Sequence, residues 1–61
     1  MKIVIGGYYL DISSKVHKIS SMKNSHVYYI VLNQKGLVVG AGDCTLAKFI
    51  ENTVYRVRPN R

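Results

Sequence analysis

The sequence predicts an α+β fold: a small antiparallel sheet of four to five strands with one short helix before the last strand. Three observations predict it. Two runs rich in β-branched and aromatic residues flank the turn "NQKG" within "HVYYIVLNQKGLVVGAG", the pattern of a hairpin. A single helical stripe, Leu46, Phe49 and Ile50, follows it. The terminal "TVYRVRP" alternates as a strand. With 61 residues the chain reads as one domain, residues 1–61.

The N-terminal "KIVIGGYYL" reads as a strand with a bulge at Gly6 or Gly7. Residues 13–25, "SSKVHKISSMKNS", read as a basic serine-rich loop or as an edge strand from Lys15 to Ser20, since Ser, Val, Ile and His are mediocre helix formers. In the hairpin, pairing Leu32 with Leu37 sets Ile30 against Val39 and Tyr28 against Ala41 on one apolar side. The other side then joins Val31 to Val38, Tyr29 to Gly40 and Val27 to Gly42, with Tyr29 covering Gly40. Asp43 is the expected helix N-cap and Asn52 the expected stop. So short a helix needs support, expected from the Tyr28, Ile30, Leu32 side. In the last strand Tyr55 and Val57 take one side and Val54, Arg56 and Arg58 the other, and Pro59 ends it. An SH3-like small barrel is the alternative closure for these elements.

Nine Lys and Arg against three acids give a formal charge of +6, so the field around the domain attracts anions. The implied partner is nucleic acid or an acidic protein surface, the bland alternative being that the charge only keeps a small apolar domain soluble. A single cysteine, Cys44, rules out an internal disulfide framework. No secretory or membrane-spanning pattern is read at the N-terminus, and a reducing, cytoplasmic location is expected.

"GLVVGAGDCTLAKFI" has the outline of a dinucleotide-binding turn but not its chemistry. Gly40 and Gly42 supply two of three required glycines, Thr45 stands at the third, no acid follows Glu51, and Asp43 would set negative charge beside a pyrophosphate. Cys44 with His17 or His26 as base is the remaining catalytic arrangement, and an inert small thiol is the simpler account. The Cys, His and Asp residues lack metal-ligand spacing. The reading is a non-enzyme with no cofactor and no metal.

What remains is a binding surface. With the helix on one side of the sheet, the other is expected to present Tyr29, the Gly40 and Gly42 strip, Arg56 and Arg58, with Tyr8 or Tyr9 alongside. Tyrosines among arginines can stack on bases and neutralise phosphates. The ordinary alternative is that one tyrosine of each doublet belongs to the core. Lys15, Lys18 and Lys23 add a second basic group.

From Val27 onward, "VYYIVLNQKGLVVGAGDCTLAKFIENTVYRVRP" resembles the small bacteriophage inhibitors of bacterial RNA polymerase in its β, β, α, β order, its short C-terminal tail and the tetrapeptide "RVRP". The resemblance covers about half the chain; the helix here is shorter, and "MKIVIGGYYLDI" has no counterpart. It implies a phage-type inhibitor in the host bacterial cytoplasm, with Arg56 and Arg58 gripping the polymerase. The expected function is thus a small binding protein docking on an acidic surface through Arg56, Arg58, Tyr29, Lys15, Lys18 and Lys23. A single-stranded nucleic-acid-binding module and a structural or homodimerising domain are the alternatives.

Overall fold

The computed structural model describes residues 2–57. Five strands, β1 (Tyr8–Asp11), β2 (Val16–Lys23), β3 (His26–Leu32), β4 (Val38–Thr45) and β5 (Thr53–Val57), form one sheet in the order β4-β3-β2-β1-β5, every neighbouring pair antiparallel. The helix α1 (Leu46–Asn52) lies between β4 and β5 in sequence and carries the chain from one sheet edge to the other. The predicted α+β class, strand number and helix position therefore hold. Among the described residues β4 and β5 share no rungs, so the sheet is open along that seam.

Residues 13–25 contain β2, which lies at the centre of the sheet rather than at an edge or in a loop. Its signal is the two-residue turn Asn24-Ser25, both at positive φ (51° and 63°), the geometry that tightens a hairpin. Ser20 is the extra residue of a bulge between Ile19 and Ser21, and its hydroxyl donates to the Tyr28 carbonyl at 2.9 Å. The preceding turn is built by Asp11, whose Oδ1 accepts from Ser13 N (2.9 Å), Ser13 Oγ (2.7 Å) and Lys15 N (3.0 Å).

The β3–β4 hairpin forms, two residues out of the expected register. Tyr29 pairs with Gly42, Ile30 with Ala41 and Val31 with Gly40. Asn33 explains the shift, because its Oδ1 accepts from Lys35 N (2.8 Å) and Leu37 N (3.0 Å), holding a longer turn closed by Gly36 at φ 82°. A two-residue shift preserves which residues share a side. Tyr29 accordingly covers Gly42, where an added Cβ would stand 2.9 Å from its hydroxyl; at Gly40 the nearest atom is Val31 Cβ at 3.8 Å.

Two further expectations are corrected. The N-terminal strand begins only at Tyr8; Gly6, at φ 86°, makes a turn that folds Ile3 back into the core. The Tyr9 hydroxyl fastens that arm, accepting from Val4 N at 2.9 Å and donating to Lys2 O at 3.4 Å. The helix N-cap is Thr45, whose side chain accepts from Lys48 N at 3.2 Å, while Asp43 lies within β4. Thr53 closes the far end: its N–H goes to Ile50 O and its hydroxyl to Phe49 O at 2.6 Å.

The helix packs on the side of the sheet opposite to the one expected. Phe49 lies within 5.7–6.0 Å, ring centre to ring centre, of Tyr9, His17 and Tyr29, and Ile3, Tyr9, Ile19, Val27 and Phe49 form the buried core. The glycine-bearing side of β4 is thus the covered one, where small residues leave room for rings. Gly42→Val should cost about 1–3 kcal/mol through its collision with Tyr29, whereas Gly40→Val should stay within about 0.5 kcal/mol. Urea denaturation of both variants checks the register, and equal midpoints would overturn it. Thr45→Ala should lower stability by about 0.5–2 kcal/mol, with Asp43→Ala the comparison that leaves the cap intact.

Candidate functional site

Each side of the sheet offers one candidate. Beneath the helix, Asp11, His17, Tyr29, Cys44, Phe49, Asn52 and Thr53 line a cavity of about 50 Å³. His17 is buried, its Nε2 stands 3.6 Å from Asp11 Oδ2, and its Nδ1 has no hydrogen-bond partner. Burial pushes its pKa below the ordinary 6.5, the nearby Asp11 carboxylate only partly opposing this, so the ring stays neutral at pH 7. Asp11 is pushed up by burial, but the hydrogen bonds from Ser13 and Lys15 and the proximity of His17 outweigh that and hold it below 3.8. Burial, reinforced by the Asp43 charge, raises the Cys44 thiol, the opposite of what a nucleophilic sulfur needs. The hydroxyl of Tyr29 is likewise raised by burial and by the acidic groups around it. The rings of His17 and Tyr29 pack against Phe49 and meet each other in a T-shaped contact at 4.7 Å, an arrangement of core rings. Among the described residues no three His, Cys, Asp or Glu side chains converge to hold a metal ion.

The other side carries no helix among the described residues. Its rungs follow from the strand registers: Val57, Tyr8, Lys18, Ile30, Ala41 across all five strands; Tyr55, Leu10, Val16, Leu32, Val38 beside it; and Ser21, Tyr28, Asp43 beyond the bulge. Residues directly opposite in an antiparallel ladder share a side, which puts seven aliphatic side chains and three tyrosines on one surface. Several are strongly exposed, Val38 at 60% and Tyr55 at 53%, together with the bulged Val39 at 60%. Lys18 extends over the Tyr8 ring, its Nζ 5.5 Å from the centroid. Where the turn after β1 meets the turn after β3, Ser14, Lys15, Val16, Leu32, Asn33, Gln34 and Val39 line a cup of about 230 Å³.

Charge is unequally satisfied. Each acid has a partner: Asp11 has His17 and its own turn, Asp43 has His26 Nε2 at 2.6 Å, and Glu51 has Lys48 at 3.8 Å. Among the described residues, Lys2, Lys15, Lys18, Lys23, Lys35 and Arg56 have no carboxylate within 4 Å.

The expected site residues divide between the two sides. Lys18 is on the open side, Lys15 lines the cup, and Lys23 ends β2 opposite His26. Tyr29 is under the helix, so its assignment to the open platform is corrected. Arg56 is exposed but pairs with Tyr9, which puts it on the helix side of the edge strand β5; Arg58 lies outside the described residues. The open side instead shows Tyr8, Tyr28 and Tyr55. The doublets "YY" at positions 8–9 and 28–29 held that information, one member to each side, and only the position of the helix decides which is exposed.

No protein family, curated protein or solved structure matches this chain. No helix among the described residues is long and apolar enough to cross a membrane.

A neutral buried His17 has a measurable consequence. Above pH 6.5 both folded and unfolded chains hold this ring neutral; below it the unfolded chain takes up the proton first. Stability should therefore fall as pH drops from about 6.5 toward the lower folded-state value. Asp11 adds a second loss below 3.8, as its lowered carboxyl is protonated. His17→Phe, which keeps an aromatic ring and removes the unpartnered nitrogen, should flatten the upper part of that slope in urea denaturation from pH 7.5 to 5.0. An unchanged slope would place the titrating group elsewhere.

Proposed function

We propose that this chain is a small non-enzymatic binding protein that docks on an acidic surface of another protein. The observation that carries the proposal is the coincidence, among the described residues, of an uncovered apolar sheet face with cations that have no carboxylate within 4 Å. Apolar area gives affinity, and the unpaired cations speed encounter and select acidic partners. The resemblance in "RVRP" makes a bacterial protein the first candidate, with RNA polymerase the specific target to try and a phage-type inhibitor the corresponding role. Arg56 can join such an interface because an edge strand presents both its sides: Tyr55 and Val57 toward the open face, Arg56 beyond it.

A second reading rests on β4. This edge, Val38–Thr45, has no Lys, Arg or Pro to discourage pairing, and its first residues are exposed and aliphatic. It favours self-association through β4, which sedimentation at rising concentration would reveal. Single-stranded nucleic acid is the remaining alternative, read as a gel shift of a labelled oligonucleotide.

The test of the main reading is capture from bacterial lysate, followed by titration against purified RNA polymerase or whichever protein is captured. Replacing Arg56 and Arg58 together by alanine should leave the circular dichroism spectrum unchanged and weaken binding by at least a few hundredfold, about 2 kcal/mol for each anchor. Lys18→Glu should act mainly on the association rate. A folded double variant that binds as tightly as the parent would remove the arginines from the interface.

A further inference from the structure

We propose that the cup lined by Val16, Leu32 and Val39 receives one large apolar side chain from an acidic polypeptide segment of the partner. The inference rests on the protein-binding reading and adds the mode of recognition to it.

Size is the first ground. Pockets that enclose small molecules run from ~300 to 1,000 Å³. At about 230 Å³ this cup is smaller and opens onto the uncovered face. Its floor is aliphatic, contributed by β2, β3 and the bulged residue of β4, and it holds no acid, thiol or imidazole that could do chemistry. It suits an inert anchor such as a leucine or phenylalanine side chain.

The rim specifies what surrounds that anchor. Lys15 contributes an ammonium that only donates and has no carboxylate within 4 Å among the described residues. Asn33 has already committed its side-chain oxygen to Lys35 N and Leu37 N, so the group it has left to offer is the donating amide nitrogen. Ser14 supplies a hydroxyl, and Lys35 sits in the adjoining turn. Asp11, which builds the turn that precedes β2, is occupied by Ser13 and the Lys15 backbone. A rim that carries the Lys15 ammonium, the Asn33 amide nitrogen, the Gln34 amide and the Ser14 hydroxyl, and no carboxylate among the described lining residues, is complementary to aspartate and glutamate flanking an apolar residue. Bases would need an aromatic platform, and the cup has none.

The experiment is an NMR titration of the isotopically labelled full chain with two peptides of equal negative charge, rich in Glu and Asp, one with a central phenylalanine and one with alanine there. Expected are shifts centred on Val16, Leu32, Asn33 and Val39, and roughly tenfold tighter binding of the phenylalanine peptide. Val39→Glu should abolish the difference between the peptides; Val39 is 60% exposed, so the fold should survive. Lys15→Ala should weaken both peptides alike. Equal affinity for the two peptides, or shifts spread over the lysines regardless of the central residue, would overturn the cup and reduce the binding to bare charge attraction. So would shifts centred elsewhere, or an oligonucleotide that displaces the phenylalanine peptide from the cup. If Val39→Glu leaves capture of the lysate partner intact, the cup assignment falls while the protein-binding reading stands; if no protein is captured at all yet the phenylalanine peptide binds as described, the cup stands and the larger reading falls.

Discussion

The helix is too short for the sheet it crosses, and most of the architecture follows from that mismatch. Its first N–H, on Leu46, donates to Ser25 O (2.7 Å) in the turn after β2, and its last carbonyl, on Asn52, accepts from Ile12 N (3.0 Å) in the turn before β2. Seven helical residues rise only about 10 Å, whereas the eight residues of β2 extend about 25 Å when straight. Both ends can be tied only if the sheet curls over the helix. The irregularities in register, at Ser20, between Val31 and Leu32, and between Leu10 and Asp11, occur in three different strand pairs and are the devices by which strands bend. Phe49 fills the resulting hollow, its backbone carbonyl held by Thr53 and its ring meeting those of Tyr9, His17 and Tyr29.

That curvature also explains which parts of the fold were legible in advance. Alternation and turn residues are local, so the β3–β4 hairpin, the final strand and the short helix could all be read from neighbouring residues, although of the expected stripe Phe49 is buried and Ile50 is exposed. The side on which the helix packs is not local. The two sides of β3 are both apolar, Tyr28, Ile30 and Leu32 on one and Val27, Tyr29 and Val31 on the other, and periodicity alone cannot rank them. The deciding residue was Gly42: it marks close approach by something bulky, which here is Tyr29 on the helix-filled side rather than on an open platform. β2 was obscured for a different reason. The Ser20 bulge interrupts its alternation, and "NS" is a weaker hairpin signal than the turn pairs that contain glycine.

Which tyrosines would belong to a surface was not legible from composition. The tyrosines on the open side are Tyr8, Tyr28 and Tyr55 rather than Tyr29, and Lys18 rather than Arg56 shares their side. Charge pairing could not be read from composition at all. Three acids against nine cations says that most cations lack partners, but not that the acids would be spent on a turn, on His26 and on one helical pair, leaving the cup rim without a carboxylate of its own.

Stability and binding are linked through the same imbalance. The buried core consists of Ile3, Tyr9, Ile19, Val27 and Phe49, while Leu37, Val38, Val39 and Tyr55, a similar number of large apolar side chains, remain more than half exposed. A chain of 61 residues has little core from which to draw stability, so the exposed set is a substantial unused source of apolar burial. A partner that covers it binds the folded chain and not the unfolded one, and therefore raises the free energy of unfolding in proportion to the logarithm of its concentration over its dissociation constant. The helix closes one side of the sheet, and the opposite side, uncovered among the described residues, is the one available for that contact.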